Sequence, residues 1–364
     1  MTKPFYIHHI KHGTGNYPVV IGHATLPSLP EFIPDTLKSR RACIVSDKHV
    51  AELYQYQISE ILENSKIKQL EPFIFQPGEK SKSLSTVKRL LNHLVRHQVT
   101  RTDFILGLGG GVTGDLSGFA ASIYMRGIPH IQIPTTLLAQ ADSSIGGKTG
   151  INLPTGKNLV GSFHAPTLVL CDLKTLDTLP LRHIRNGFAE IIKIAIVGDA
   201  DLFMFLENHI ESLLHKQGRM VLMQALITAN KLKSKIVEED EKEHGIRIFL
   251  NLGHTYAHGL ECVDGYRTFL HGEAVAVGLL AATRLAVMLS ICHRDAFDRV
   301  KNLLELSGLP TQIHNLNKNA LVEAMNRDKK NRSGKLRIVL PERIGQVTVV
   351  DDVSPELLVQ SLEI

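Results

Sequence analysis

The fold class of the chain is indicated most directly by residues 104–115, Phe104-Ile-Leu-Gly-Leu-Gly-Gly-Gly-Val-Thr-Gly-Asp115. The apolar start of this stretch predicts a β-strand, and its glycines open toward a helical pattern. In such a turn, backbone N–H groups can approach a pyrophosphate, and the N-terminus of the following helix favours its negative charge. The strict dinucleotide fingerprint is not met, because Val112 stands where the third glycine would fall. The stretch therefore predicts a strand–turn–helix unit that suits a nucleotide.

Short β-rich runs alternate with helical patterns throughout the first half of the chain. The predicted strands are residues 42–47, 72–75, 104–106, 131–133 and 168–170. Because strands separated by helices tend to pair in parallel, this order favours a parallel sheet with covering helices. From about residue 180 the strand signals almost vanish. The predicted elements are then helices over 181–215, 218–240, 251–264 and 272–292, shorter helices up to 328, and two short strands over 335–340 and 345–350.

The length of the chain also favours two domains, because a single hydrophobic core rarely serves 364 residues. We expect residues 1–178 to form an α/β, Rossmann-like domain with a parallel sheet. Residues 179–364 are expected to form a second domain that is mainly α-helical.

Composition and charge indicate which class of ligand the protein binds. The chain is 43% apolar and 21% charged, as soluble globular proteins are. Its formal net charge of +5 comes from scattered basic residues, and the chain contains no tryptophan. This pattern favours an anionic small molecule over nucleic acid, whose binding usually needs clustered basic residues and stacking aromatic rings.

No segment of the sequence predicts export or a membrane anchor. The N-terminus lacks an apolar signal core. The apolar run 274–292 contains Arg284, which would cost roughly 2.5–3.5 kcal/mol at the centre of a bilayer. We therefore expect this run to be a buried core helix. The four cysteines show no paired spacing, so reduced thiols in a cytoplasmic protein are expected.

Glu190, His254 and His271 are predicted to form one divalent-metal site. Two imidazoles and one carboxylate are a three-ligand set that leaves coordination open for a substrate, as in catalytic zinc sites. A lone helical histidine is more often solvated or satisfied by a hydrogen bond, and the chain contains 18 histidines. The metal is favoured because Asn251, His254 and His258 are predicted to share one helix face, whose burial requires partners. One alternative stays open: His258 is the second histidine ligand in place of His271.

Basic and polar residues are concentrated in two glycine-containing stretches, 132–152 and 156–161, which are predicted as loops. Lys148 and Lys157 lie there among glycines and hydroxyl groups, a combination suited to phosphate or sugar oxygens. Single loop lysines are usually solvated. Because several further cations neighbour glycine turns or the metal motifs, we expect a collective anion site. Those cations are Lys193, Lys233, Arg247 and the Lys329–Lys330 pair.

Asp47 ends the predicted strand 42–47 and has two interpretations that the sequence supports equally. Its carboxylate could accept a hydrogen bond from the ribose of an adenine nucleotide. It could equally cap the helix that follows the strand.

Taken together, these motifs resemble those of the 3-dehydroquinate synthase family of sugar phosphate cyclases. The match covers nearly the whole chain and is most specific at 109–115, 134–149, 156–158, 189–193 and 251–255. The resemblance implies a phosphate-eliminating carbon–oxygen lyase of the shikimate pathway, which converts 3-deoxy-D-arabino-heptulosonate 7-phosphate into 3-dehydroquinate and phosphate. It implies transient oxidation by bound NAD, phosphate elimination, re-reduction and intramolecular aldol closure, with one divalent metal, zinc or cobalt.

The resemblance also assigns roles to individual residues, with a nucleotide-binding first domain and a metal- and substrate-binding second domain. The metal ligands would be Glu190, His254 and His271. The NAD site would be lined by Asp47, Glu79, Lys82, Gly110, Gly111, Val112, Asp115, Thr135, Thr136, Lys148, Lys157, Thr175 and Thr178. The catalytic residues would be Lys148, Lys193, Lys233, Arg247, Asn251 and His258. Further substrate contacts would come from Arg126, Asp142, Asn158 and Lys330, with Arg126 reaching across from the partner subunit of a homodimer.

The sequence departs from the family pattern in a few places. Pro77 precedes Gly78-Glu79 where the family often has aspartate, which loosens the expected fit at residue 77. Tyr256 and Ala257 fill the variable middle of the predicted metal helix. None of these positions carries a predicted catalytic role.

Two alternative functions stay open at this point. Another sugar phosphate cyclase, of the 2-deoxy-scyllo-inosose or 2-epi-5-epi-valiolone synthase type, would share NAD, metal and the elimination–aldol logic. A substrate with a carboxylate needs cations, which favours 3-dehydroquinate synthase; the residues concerned are Lys148, Lys233, Arg247 and His258. A metal-dependent alcohol dehydrogenase of the glycerol dehydrogenase type is the more distant alternative, and it would release NADH.

Overall fold

The structure of the protein is a computed structural model that describes residues 5–13, 15–265, 267–313, 317–331 and 336–363, without the side chains of 326–331. The chain forms two compact units, Met1–Leu179 and Pro180–Ile364. These are called the first and the second unit.

The first unit is built around a mainly parallel sheet. Its strands are β1 (Phe5–His12), β2 (Gly15–Gly22), β3 (Arg41–Asp47), β4 (Lys68–Gln69), β5 (Phe73–Phe75), β6 (Phe104–Gly109), β7 (His130–Pro134), β8 (Lys148–Leu153), β9 (Gly156–Phe163) and β10 (Leu168–Asp172). Its helices are α1 (Leu29–Phe32), α2 (Asp35–Lys38), α3 (Lys48–Asn64), α4 (Leu84–Arg96) and α5 (Gly111–Ile123). Among the described residues, the main sheet has the order β1-β2-β10-β7-β6-β3-β4, with β5 beside β3. The β1–β2 pair is antiparallel, and the other pairs of this sheet are parallel.

The parallel strands are buried on both faces, which explains their almost continuous apolar sequence. In β3, Ala42 and Ile44 belong to one hydrophobic core. Cys43 and Val45, which alternate with them, belong to a second core. Successive side chains of a strand point to opposite faces, so each face needs its own apolar layer under covering helices. The predicted α/β class with a parallel sheet is confirmed for this unit.

A β-hairpin occupies residues that the sequence predicted as loops. Strands β8 and β9 pair antiparallel, so Lys148 and Lys157 lie on strands, and the loop prediction is wrong. The glycines explain the difference, because they lower strand propensity yet permit close cross-strand approach. A Cβ atom on Gly150 would lie only 2.8 Å from the carbonyl oxygen of Val160. The β1–β2 hairpin was not predicted either.

The second unit is mainly helical. Its helices are α6 (Leu181–Gly198), α7 (Ala200–Leu214), α8 (Arg219–Glu239), α9 (His254–Val263), α10 (His271–Met288), α11 (Arg294–Leu306), α12 (Lys318–Asn331) and α13 (Pro355–Ser361). A 3₁₀-helix, Ile246–Asn251, precedes α9. Two antiparallel strands, β11 (Arg337–Arg343) and β12 (Gln346–Asp351), form a separate small sheet, as the late strand signals predicted.

The predicted helix over 181–215 is interrupted at Asp199. This residue ends α6 and caps α7, because its Oδ1 accepts a hydrogen bond from the backbone N–H of Leu202 at 2.8 Å. The continuous prediction is therefore wrong at this point, where one side chain supplies an N-cap.

Asn251 does not lie on α9, contrary to the prediction from the sequence. It ends the 3₁₀-helix, and Gly253, with a φ of 75°, separates that segment from α9. The predicted common helix face of Asn251 with the two histidines is therefore wrong. His254 and His258 do follow each other by one turn of α9.

Helix α10 is a core element of the second unit. Among the described residues it is the one helix long and apolar enough to cross a membrane, and 72% of its apolar window is buried inside the structure. It is the buried core helix that the sequence predicted, although it begins at His271 and ends at Met288.

Candidate functional site

Three side chains of the second unit converge on one point. Glu190 lies in the middle of α6, while His254 and His271 are the first residues of α9 and α10. One ligand atom from each lies within 4.8 Å of the other two, and no other such trio was found among the described residues. The Oε1 atom of Glu190 is 3.7 Å from the Nε2 of His254 and 3.5 Å from the Nε2 of His271. The structure thus brings together the three residues that the sequence predicted as metal ligands.

Both imidazoles direct Nε2 toward Glu190 and use Nδ1 for an outer hydrogen bond. The Nδ1 atom of His254 is 3.2 Å from the carbonyl oxygen of Leu252, and that of His271 is 3.2 Å from Oε1 of Glu261. Because a carbonyl oxygen only accepts, Nδ1 of His254 carries the proton, and its Nε2 keeps a lone pair for a cation. Outer hydrogen bonds of this kind are typical of metal-ligating histidines. The donor set therefore fits a divalent ion.

Burial and neighbouring charges set the protonation of these groups. Burial, with a smaller effect of Lys193, lowers the pKa of His254 to about 3, so this ring is neutral near pH 7. Burial also disfavours the His271 cation, but hydrogen bonds to Glu190 and Glu261 outweigh it and raise the pKa of that ring to about 10. Glu190 and Glu261 thus stabilise a positive charge on the His271 ring, and a divalent ion could take the place of that charge.

A close contact between α6 and α10 positions two of the ligands. The backbone N–H of Gly272 donates to Oδ1 of Asn186 at 2.6 Å, and a Cβ atom on Gly272 would overlap the carbonyl group of Asn186. Asn186 precedes Glu190 by one turn, and Gly272 follows His271 directly. This contact therefore sets the separation of Glu190 and His271, and neither Asn186 nor Gly272 was predicted from the sequence.

A second close contact positions His254. A Cβ atom on Gly278 of α10 would overlap the carbonyl oxygen of Gly253, the residue that precedes His254. Gly253 itself has a φ of 75°, which side chains rarely tolerate. Two glycines thus allow the start of α9 to lie directly on α10.

Buried cations accompany the metal candidate in the second unit. Lys193, one turn after Glu190, places its Nζ 2.5 Å from Oε2 of that carboxylate. Lys233 on α8 and Arg247 on the 3₁₀-helix are 4% and 2% exposed. These segments and α6 contact one another, so the predicted cations lie on mutually packed elements. Buried cations on packed elements suit an anionic ligand, because water screens charge less in the interior.

Two other predicted residues of the second unit have distinct surroundings. The ring centroid of His258 is 5.5 Å from that of His254 and 6.3 Å from that of His271, and its side chain is exposed. Asn251 donates from Nδ2 to Oε1 of Glu243 at 2.9 Å. The side chain of Lys330, predicted to hold phosphate, lies outside the described residues.

In the first unit, the predicted cofactor residues gather at one edge of the sheet. Strands β10, β7, β6 and β3 are adjacent and parallel. The predicted residues at their carboxyl ends are Thr175 and Thr178 after β10, Thr135 and Thr136 after β7, Gly110 and Gly111 after β6, and Asp47 at the end of β3. The chain places β4 and β5 on one side of β3 and β6 on the other, and such a reversal of strand order is where α/β sheets bind nucleotides.

The turn after β6 fits a phosphate group. Gly110 is the N-cap of α5 and makes no side-chain cap hydrogen bond, so the first N–H groups of this helix receive no cap from it. A Cβ atom on Gly109 would overlap the hydroxyl of Thr113. The hydroxyl oxygens of Thr113 and Thr135 are buried without a hydrogen-bond partner in the described part of the chain. Uncapped N–H groups, a side-chain-free surface and two such hydroxyls fit the pyrophosphate of a dinucleotide.

Lys82 and Glu79 are tied to the β8–β9 hairpin. The buried Lys82 pairs with Asp115, and its Nζ donates to Oδ1 of Asn158 at 2.5 Å. Asn152 donates to Oε1 of Glu79 at 2.7 Å and accepts from the backbone N–H of Asn158 at 3.0 Å. Burial raises the pKa of Asp115, and the charge of Lys82 opposes that shift. Asn152, which was not predicted, thus links two segments that carry predicted contacts to NAD and substrate.

Asp47 acts as a helix cap in this structure. Its Oδ1 accepts a hydrogen bond from the backbone N–H of Val50 at 3.1 Å, at the start of α3. This is one of the two interpretations that the sequence left open. The carboxylate has a second oxygen, so a ribose contact stays compatible with the cap.

Arg126 is exposed in a turn with unusual backbone angles. Its φ is 68°, after a φ of 49° at Met125 and before a φ of 118° at Gly127. Left-handed angles at two consecutive residues other than glycine cost conformational energy and occur often at functional sites. The remaining predicted residues are Asp142 in a π-helical turn (Ala139–Ser143), the exposed Lys148 at the start of β8, the half-buried Lys157 on β9 and the half-buried Val112 on α5.

Comparison with known proteins identifies the family. The family model for 3-dehydroquinate synthase N-terminal matches residues 72–186, and the one for 3-dehydroquinate synthase C-terminal matches residues 187–331. The chain belongs to the 3-dehydroquinate synthase family. A 3-dehydroquinate synthase from Nitrosospira multiformis is 42% identical over 346 residues, which cover 95% of this chain and 94% of that protein. The resemblance stated from the motifs is confirmed.

Solved structures of related cyclases share the fold of the whole chain. The 2-epi-5-epi-valiolone synthase from Streptomyces hygroscopicus subsp. jinggangensis, solved with NAD⁺ and Zn²⁺ bound, has a TM-score of 0.88 at 32% identity and covers 98% of both chains. A 2-deoxy-scyllo-inosose synthase, complexed with carbaglucose-6-phosphate, NAD⁺ and Co²⁺, has a TM-score of 0.89 at 26% identity and covers 98% of this chain and 99% of that one. The predicted fold class, a Rossmann-like unit followed by a helical unit, is confirmed.

Proposed function

We propose that this chain is a 3-dehydroquinate synthase, which converts 3-deoxy-D-arabino-heptulosonate 7-phosphate into 3-dehydroquinate and phosphate. The observation that carries the proposal is the convergence of Glu190, His254 and His271 in a unit that also buries several cations. A sugar acid phosphate offers a carboxylate and a phosphate to such cations. The 42% identity with the Nitrosospira multiformis protein over almost the full length of both chains supports the same activity.

The proposed cofactors are NAD and one divalent ion, Zn²⁺ or Co²⁺, as in the two related cyclase structures. When bound, NAD would accept and return a hydride, and the ion would polarise the reacting oxygen atoms as a Lewis acid. Glu190, His254 and His271 would hold the ion. The residues at the carboxyl edge of the first sheet, with Lys82 and Glu79, would hold NAD.

The residues of the chain have separate tasks in this proposal. Lys193, Lys233 and Arg247 would bind the anionic groups of the substrate and fix its orientation. Their burial strengthens these contacts, because water screens charge less in the interior. His258, one turn after His254, would take part in proton transfer near neutral pH, where an imidazole can both accept and donate.

The assembly and location of the enzyme are also part of the proposal. Arg126 is exposed and held in a strained turn, which suits a side chain that reaches the phosphate in a partner subunit. A homodimer follows from that role. We expect the enzyme to work in the cytoplasm, where its soluble substrates and reduced cysteines would be found.

The second candidate is another sugar phosphate cyclase. The two related proteins of known structure are a 2-epi-5-epi-valiolone synthase and a 2-deoxy-scyllo-inosose synthase, not dehydroquinate synthases. A substrate panel separates the candidates. Purified enzyme with NAD and Co²⁺ is offered either the heptulosonate phosphate or sugar phosphates of similar size without a carboxylate. We expect phosphate release with the carboxylate-bearing substrate alone. Efficient turnover of a sugar phosphate without a carboxylate would transfer the assignment to the second candidate.

The panel also addresses the alcohol dehydrogenase alternative. A dehydrogenase would convert an alcohol and release one NADH per turnover, without liberating phosphate. We expect no net NADH during turnover, since the hydride returns within the same catalytic cycle.

A further inference from the structure

Glu261 is a buried carboxylate for which neither the motif resemblance nor the family comparisons supply a role. Its side chain is 3% exposed, and its Oε1 lies 3.2 Å from Nδ1 of His271. A buried carboxylate is costly unless a partner compensates it. One partner here is an imidazole whose other nitrogen points to the proposed metal position.

We propose that Glu261 is a positioning residue for the metal centre. It accepts the Nδ1–H of His271 and thereby keeps Nε2 of that ring directed toward Glu190 and the proposed metal position. This inference rests on the proposed function, because it assumes that His271 is a metal ligand. It adds a residue that would not touch the ion, the cofactor or the substrate.

The two histidines obtain the same orientation by different means. The ring of His254 is held by the carbonyl oxygen of Leu252, two residues before it in the chain. His271 is the first residue of α10, and its ring is held by a side chain from another helix. A carboxylate is a stronger acceptor than a carbonyl oxygen, so it suits a ring that lacks a local backbone partner.

The placement of Glu261 on α9 couples the two ligand-bearing helices. Glu261 follows His254 by seven residues, which is two helical turns, so both lie on the same side of α9. One helix therefore supplies the ligand His254 directly and orients the ligand His271 through Glu261. Because Glu261 contacts Nδ1 while Nε2 faces Glu190, its carboxylate lies on the far side of the ring from the proposed ion.

The inference is tested by metal binding to three variants of the full-length protein. Glu261→Ala removes the acceptor, and Glu261→Gln keeps an acceptor oxygen of the same shape without the charge. The control is Glu207→Gln, which breaks another carboxylate pair of the second unit, that of Glu207 with Arg299 at 2.6 Å. The dissociation constant for Co²⁺ is measured by competition with a chromophoric chelator, and the visible spectrum of the Co²⁺ form is recorded.

We expect Glu261→Ala to weaken Co²⁺ binding about 10- to 100-fold, the usual effect of losing an outer partner of a ligating histidine. Glu261→Gln should lose less Co²⁺ affinity than Glu261→Ala, because its amide oxygen can still accept the Nδ1–H of His271. Both should shift the Co²⁺ spectrum, because ring orientation changes the ligand field, and Glu207→Gln should match the wild type in both measurements. If Glu261→Ala does not fold, the Co²⁺ affinity and spectrum of Glu261→Gln still test the positioning role.

Wild-type affinity and an unchanged spectrum in Glu261→Gln would overturn the positioning role and leave the proposed function standing. A wild-type protein that binds no Co²⁺ or Zn²⁺ at this site would contradict the metal part of the proposed function, and this inference with it.

Discussion

Gly272 and Asn186 form a contact that leaves no room for a side chain: the Gly272 amide donates to Asn186 Oδ1 at 2.6 Å, and a Cβ atom on Gly272 would overlap the Asn186 carbonyl. Gly272→Ala should therefore push α10 away from α6. We expect the free energy of unfolding to fall by about 1–3 kcal/mol, the usual cost of overpacking. Metal affinity should fall as well, because Glu190 and His271 flank this contact.

The measurements for Gly272→Ala are chemical unfolding of the metal-free protein and Co²⁺ titration. A matched control is Gly15→Ala on β2, where the added Cβ would meet its nearest neighbour at 3.8 Å. That control should change neither quantity appreciably. Wild-type stability and metal affinity in Gly272→Ala would show that the α6–α10 contact does not define the site.

His258 and His271 are distinguished by metal content rather than by rate. We predict that His258→Ala keeps about one metal per chain and still binds substrate, while phosphate elimination slows roughly 10²–10⁴-fold through lost proton transfer. His271→Ala should lose both metal and turnover. Metal analysis and single-turnover phosphate release check both variants, with the exposed His215→Ala as control. Loss of metal from His258→Ala would transfer the ligand role to His258.

Asn152 should influence NAD affinity without touching NAD. Its side chain donates to Glu79 and accepts from the backbone N–H of Asn158, so Asn152→Ala loses two hydrogen bonds that hold proposed binding segments. At about 1 kcal/mol per bond, NAD binding should weaken on the order of 10-fold. Calorimetric titration of NAD checks this, with Asn64→Ala, an exposed residue at the end of α3, as control. Equal affinities of the two variants would refute the linking role.

The ionised carboxylate of Asp103 should make the stability of the first unit depend on pH in the acid range. Burial opposes ionisation of this carboxyl, but hydrogen bonds from Arg41 and Thr100 prevail and lower its pKa to about 2. Because the folded pKa lies below the unfolded value near 3.9, the stabilisation is present above about pH 4 and is lost as the pH falls toward 2. Asp103→Asn should be less stable by about 2 kcal/mol at neutral pH and should converge with the wild type in acid.

Denaturant unfolding at a series of pH values tests the Asp103 prediction. The exposed Asp298→Asn on α11 is the control and should follow the wild-type curve. A constant difference between Asp103→Asn and the wild type from neutral to acid pH would contradict the assigned ionisation.

The sequence predicted those elements whose signal is local. Continuous apolar runs such as 42–45 identified the buried parallel strands, because both faces of the sheet are covered. The hairpin β8–β9 was not predicted, because its glycines and lysines are typical of loop sequences. The break at Asp199 had a readable signal in Gly198-Asp199, since aspartate is a favoured N-cap, but the periodicity on both sides obscured it.

The candidate metal ligands could be predicted because histidine and glutamate are chemically distinctive and their flanking motifs are specific. The residues that position them could not. Glu261, Gly272 and Asn186 act through contacts between helices, and no local pattern shows which helices meet. Asn251 was wrongly placed on the same helix face as His254. The prediction used helical spacing, but Gly253 separates Asn251 from α9.

The proposed cyclisation is tested by the stoichiometry of one complete reaction. Purified enzyme with NAD and Co²⁺ is given 3-deoxy-D-arabino-heptulosonate 7-phosphate, and phosphate, 3-dehydroquinate and NADH are followed together. We expect one dehydroquinate for each phosphate released, no net NADH, and loss of all turnover after the metal is removed with a chelator that leaves the fold intact. Phosphate release without dehydroquinate, or accumulation of NADH with turnover, would contradict it.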